Sequence, residues 1–183
     1  MDTISTQNNR RTIRWAGFDY TSEGAYFVTI CAWEKRCALG RVLDGVMRAN
    51  VYGEMARDCW LATPQHFPHV LVDEFVVMPN HFHGILIFDN ATQNATHVGA
   101  RHASPLQTPR GAPSGSLGAV SGAFKSAVTH RINAHRTERE LPIVRVWQRN
   151  YYERIIRDEK EFNDTRRYII ENPINWANDE NYR

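Results

Sequence analysis

The sequence predicts an α+β protein, a mainly antiparallel sheet with helices packed on it. Three observations carry this expectation. Short runs rich in β-branched and aromatic residues recur along the chain, and two of them are separated only by a tight turn at Pro79-Asn80. Other segments carry apolar residues at helical spacing. The order of these pieces, roughly β-β-α-β-β-α-β-α, suits an antiparallel sheet covered by helices.

Residues 1–20 read as an arm with little periodicity. The run AYFVTICAW over 25–33 is a strand by composition. A short second strand is expected over 38–43, after the charged turn Glu34-Lys35-Arg36. Over 50–63, Val51, Met55, Cys59 and Trp60 lie near helical spacing, with Asn50 as N-cap. Pro64 and Pro68 then break the chain. Strands over 70–78 and 82–88 form an antiparallel hairpin. The segment 89–116 is rich in Gly, Pro, Ser and Thr and reads as a long loop. Helical spacing returns over 117–136, where Val120, Phe124, Val128 and Ile132 form a stripe and Lys125, Thr129, Asn133 and Arg136 share the opposite face. Short extended pieces follow at 143–147 and 151–156. A last helix starts at Asp158, with Glu161 in a capping-box position, and ends near Asn172 because Pro173 follows. The tail after it is polar, with Trp176 docking it.

A chain of 183 residues fits one domain with its own core, here with an N-terminal basic arm (1–20) and a long loop (89–116). No apolar run approaches the roughly 20 residues of a membrane span, and residues 1–14 hold no apolar signal core. Cys31, Cys37 and Cys59 are odd in number and lack metal-type spacing, so reduced thiols in a cytoplasmic protein are expected. The net charge of +2 hides an uneven distribution. No Asp or Glu occurs over 90–137, a stretch that carries Arg101, Arg110, Lys125, Arg131 and Arg136 with four histidines. Such a block is the footprint of a polyanion partner, although a solvated loop that lacks acids would read the same way. Arg10, Arg11 and Arg14 form a smaller basic cluster.

His81 and His83 are two apart in a strand, so both imidazoles project from one face while Phe82 points to the other. Two imidazoles on one face are half of a metal site, although strand histidines are often merely half-buried. Four residues apart in the last helix, Tyr168 and Asn172 share a face. A tyrosine is a competent covalent nucleophile when a cation lowers the cost of its phenolate, and an asparagine oxygen suits a hard metal.

Four segments together resemble the single-tyrosine HUH transposases of bacterial insertion sequences, most closely the REP-associated tyrosine transposases. They are RRTIRWAGFDYTSEGAYFVTIC, VVMPNHFHGILIF, GAFKSAVTHRIN and WQRNYYERIIRDEKEF…RRYIIENP, and they cover most of the chain outside the 89–116 loop. The resemblance implies a ferredoxin- or RRM-like antiparallel sheet flanked by helices, the HUH endonuclease fold. It also implies a divalent ion held by His81, His83 and Asn172, with Tyr168 as the nucleophile. Tyr151 and Tyr152 compete for that role, but each is followed four residues later by an isoleucine.

The function expected is a metal-dependent endonuclease and strand transferase that cuts single-stranded or hairpin DNA through a 5′-phosphotyrosine. Mg²⁺ or Mn²⁺ would be the working ion. Arg101, Arg110, Lys125, Thr129, Arg131, Asn133 and Arg136 would face DNA, with Arg11 and Arg14 adding sequence choice. The protein would act in the bacterial cytoplasm, at the nucleoid, as a monomer or a homodimer. A catalytically idle hairpin-binding protein is the alternative. An unrelated metal hydrolase would leave Tyr168 and the acid-free block unused.

Overall fold

A computed structural model describes residues 23–89 and 112–182. Its central sheet has four strands: β1 (Gly24–Cys31), β4 (Val70–Val77), β5 (His81–Phe88) and β6 (Tyr152–Ile156). They lie in the order β4-β5-β1-β6 and every pair is antiparallel. Helix α1 (Val51–Leu61) and the single turn α2 (Thr63–His66) connect β1 to β4, α3 (Leu117–Thr137) connects β5 to β6, and α4 (Glu159–Glu171) follows β6. This is the antiparallel sheet with helices that the sequence predicts, in the ferredoxin-like arrangement that the resemblance implies.

Period-two alternation splits the sheet into two faces. Tyr26, Val28 and Ile30 of β1 and Phe82, Leu86 and Phe88 of β5 point to one side. There they meet Trp60 of α1 and the stripe Val120, Phe124, Val128 and Ile132 of α3, all of it buried. Trp60, Phe82 and Phe124 meet pairwise with ring centroids 4.7, 5.1 and 5.2 Å apart, a favoured aromatic spacing. Gly84 makes this possible, because a Cβ there would stand 2.5 Å from Cζ2 of Trp60. On the other side a smaller cluster, Ile85, Ile156 and Ile169 with Phe27 and Phe162, lies under α4.

Local signals set the boundaries. Asn50 caps α1, its side-chain oxygen accepting from the amides of Tyr52 and Gly53. Asp158 caps α4 by accepting from Glu161 N–H at 2.7 Å, and the Glu161 carboxylate reaches back to Arg157 N–H at 3.0 Å.

Three expectations are amended. The strand over 38–43 is one arm of a small hairpin, β2 (Gly40–Leu43) with β3 (Val46–Ala49), which the sequence reading lacked. Pro64 does not stop the chain outright: it sits in the first turn of α2, where its missing N–H costs nothing. The piece over 143–147 makes only one bridge, Ala32 with Trp147. The N-terminal arm and most of the 89–116 loop lie outside the described residues, as do Arg11, Arg14, Arg101 and Arg110.

Candidate metal and nucleophile site

The β4–β5 hairpin presents His81 and His83 on the sheet face beneath α4. Both are buried, and their rings lie 4.4 Å apart. In α4 and at its C-cap the buried Thr165, Ile169 and Asn172 mark the inward face, with Tyr168 beside it and 44% exposed. Arg166 anchors this helix to β4 through a two-pronged ion pair with Asp73, at 2.6 and 2.5 Å. The Tyr168 hydroxyl thereby comes to 3.4 Å from Nε2 of His83. One chain brings the tyrosine and both histidines together.

The third group at the site is one that sequence reasoning missed. After α4 the tail turns back through a 3₁₀ turn (Trp176–Asn178) and places Asp179 against the histidines. The ligating atoms of His81, His83 and Asp179 all lie within 4.8 Å of one another. Asn172, the residue expected as third ligand, donates from Nδ2 to the Asp179 carboxylate at 3.2 Å, while its Oδ1 is buried without a hydrogen-bond partner. Asp179 also accepts from Asn181 N–H at 2.6 Å, which fixes its orientation. The only local hint of this role was a carboxylate in a polar tail shortly after the Tyr-Asn helix.

Asn80 sets the chemistry of His81. Its Nδ2 donates to two backbone carbonyls, Lys35 at 3.1 Å and Asn181 at 2.7 Å. Its Oδ1 is therefore an acceptor, and it takes Nδ1–H of His81 at 2.9 Å. The Nε2 lone pair of His81 then faces the Asp179 carboxylate 4.0 Å away, buried and with no hydrogen-bond partner. Nδ1 of His83 meets Thr29 Oγ1 at 2.8 Å, which leaves Nε2 toward Tyr168. Among the described residues, His81 Nε2 and Asn172 Oδ1 are left buried without a hydrogen-bond partner beside the Asp179 carboxylate. The donor set of two imidazoles, a carboxylate and an amide oxygen fits a divalent cation.

Electrostatics agree with that fit. Burial pushes the His81 imidazole down to about 4, with Asp179 opposing the shift. Burial, then the neighbouring His81, holds His83 well below the usual histidine range. Both rings are thus neutral at neutral pH, the form that binds metals. Burial, then the charges of Asp179 and Glu180, pushes the Tyr168 phenol up. A cation at the cluster would offset those two carboxylates.

A cleft of about 450 Å³ opens beside the tyrosine, lined by Phe27, Thr29, His83, Tyr152, Arg154 and Tyr168 among others. Tyr152 is 40% exposed in it, whereas Tyr151 is buried in the core on the opposite side.

The polar face of α3 is engaged within the molecule. Lys125 donates to the carbonyls of Gln148 and Arg149 at 2.7 and 2.8 Å. Asn133 brackets Val144, donating to its carbonyl and accepting from its amide. Arg136 donates to Pro142 O and Tyr52 OH, Arg131 pairs with Asp58 at 3.3 Å, and Thr129 bonds back to Lys125 O.

No protein-family model matches the chain. The fold is an α+β domain similar to that of a solved REP-associated tyrosine transposase bound to a REP hairpin, which superposes with TM-score 0.58 at 16% identity, covering 90% of this chain and 75% of that one. A putative transposase from Deinococcus radiodurans gives TM-score 0.47 at 14% identity, over 87% of this chain and 96% of that one. The chain belongs to the same family as an uncharacterized protein of Haemophilus influenzae, which is 38% identical over 175 residues, 96% of this chain and 94% of the relative. Among the described residues no helix is long and apolar enough to cross a membrane.

Proposed function

We propose that this protein is a REP-associated tyrosine transposase-like enzyme, a metal-dependent nuclease and strand transferase for single-stranded or hairpin DNA. The observation that carries this reading is the approach of the Tyr168 hydroxyl to 3.4 Å from His83 Nε2, at the rim of the His81, His83 and Asp179 cluster. A phenol beside a cation-ready cluster at the edge of an open cleft suits attack on a phosphodiester.

The Tyr168 oxygen attacks phosphorus, and the bond from phosphorus to the 3′ oxygen breaks. The products are a 5′-phosphotyrosine and a free 3′-OH, the phenolic proton ending on the 3′ oxygen. Because the new ester keeps the energy of the old one, a different 3′-OH can reverse the step and join strands without ATP. His81 and His83, with Asp179 and the Asn172 oxygen, would hold Mg²⁺ or Mn²⁺, which when bound supplies charge neutralisation at the phosphate. The half-buried phenol is positioned by its edge-on contact with Phe27, with ring centroids 5.9 Å apart. In this reading Tyr168 serves the histidines of its own chain, its hydroxyl 3.4 Å from His83 Nε2.

The test is a labelled hairpin oligonucleotide with a single-stranded flank, incubated with the protein and Mn²⁺. A denaturation-resistant adduct supports the enzyme. Tight binding without an adduct would instead favour an idle hairpin-binding protein.

A further inference from the structure

A groove of about 620 Å³ lies between α3 and the segment 143–149, away from the histidine face. Its lining contains no Asp or Glu, although it includes Lys125, His130, Arg145 and Arg149. The contacts of α3 explain how it is built. Asn133 grips the backbone at Val144, and Lys125 grips it at Gln148 and Arg149. The side chains expected to face DNA thus act as a scaffold for a rigid strip that carries two further arginines. Arg145 is seated over the Trp33 ring, 4.2 Å from its centroid. Neither Arg145 nor Arg149 has a carboxylate partner among the described residues, and both are exposed.

The strip also has a defined relation to the site. Gln148 N–H donates to Cys31 O at 2.9 Å, and Cys31 is paired with His81 across the sheet. Further along, the same stretch enters β6 and delivers Tyr152 and Arg154 to the cleft beside Tyr168. Groove and cleft are therefore joined by one continuous stretch of chain.

We infer that this groove is a second phosphodiester-binding site, in which Arg145 and Arg149 hold the backbone of the DNA strand that leaves the Tyr168 cleft. The inference rests on the DNA-processing reading above and adds the path of the strand. A guanidinium seated on Trp33, a second exposed arginine four residues on and a lining without carboxylates suit a sugar–phosphate backbone, which needs charge along a track rather than base readout.

The test is fluorescence anisotropy with a labelled hairpin carrying a single-stranded tail, titrated with the full chain in EDTA at several salt concentrations. Arg145→Ala/Arg149→Ala should bind roughly tenfold or more weakly, and its salt slope should fall by about 1.4, two contacts at about 0.7 each. The doubly lysine-substituted variant should keep most of the slope. Arg149→Ala alone, which leaves the Arg145–Trp33 stack intact, should show half the slope change. Unchanged affinity and slope in the double variant would overturn the groove. If wild type forms the Mn²⁺-dependent adduct while the double variant binds normally, only the groove fails. If the double variant loses binding but wild type never forms an adduct, the groove stands and the cleavage reading fails.

Discussion

The side-chain oxygen of Asn80 accepts the Nδ1 proton of His81 at 2.9 Å, and this bond decides which nitrogen of His81 is free for a metal. Replacing Asn80 with alanine removes that acceptor and leaves the carbonyls of Lys35 and Asn181 unpaired. Metal affinity should fall about 10–100-fold. Calorimetric Mn²⁺ titration measures the loss. Nitrogen-15 shifts of His81 should show the Nδ1–H tautomer in the wild type and a mixture in the variant. A single Nδ1–H form in both would contradict the assignment.

The histidines give the metal-free protein a pH dependence of known sign. His81 titrates near 4 when folded, against about 6.5 unfolded, and His83 is shifted in the same direction. Between those values the unfolded chain binds more protons than the folded one, so stability rises with pH. Thermal melts should therefore show stability falling as pH drops from about 6.5 toward 4, and His81→Gln should flatten that limb. Metal binding should persist near pH 5.5, where an ordinary histidine is mostly protonated.

Arg166 and Asp73 fasten α4 to the sheet edge. The hydrogen bond from Arg166 holds the Asp73 carboxyl below its usual value, so the pair's contribution is present above about 3.8 and is lost as pH falls through the lower folded value. Arg166→Ala should loosen α4 selectively, read as faster hydrogen exchange in its amides with the core strands unaffected. Uniform protection would show that packing at Ile169 and Phe162 suffices alone.

Gly84→Ala tests the packing behind the histidine strand. The added methyl would meet the Trp60 ring at 2.5 Å, and the ring is locked against Phe82 and Phe124. Urea unfolding should report a loss of about 1–3 kcal/mol, typical of overpacking. An unchanged midpoint would mean that Trp60 can shift without cost.

Much of the fold was legible because its signals are local. Alternation around Phe82, the α3 stripe from Val120 to Ile132 and the caps at Asn50 and Asp158 each act within a few residues. The β2–β3 hairpin was equally legible and overlooked: Asp44-Gly45, with φ of 52° and 71°, is a turn pair that favours such hairpins. The role of Asp179 was not legible. It depends on the tail being tied down by Asn80 Nδ2 on Asn181 O, a contact 101 positions apart. The contacts of the polar face of α3 were not legible for the same reason. Helical spacing shows that Lys125 and Asn133 share a face, but not that residues 142–149 return to cover it.

The central claim is that Tyr168 becomes covalently joined to DNA. Mass spectrometry of the denatured, nuclease-trimmed protein after incubation with hairpin DNA and Mn²⁺ tests it directly. The account predicts a nucleotide adduct on the peptide containing Tyr168, absent in EDTA and absent in Tyr168→Phe, which should still bind the hairpin. Cleavage by Tyr168→Phe at the wild-type rate, or an adduct on Tyr152 instead, would contradict it.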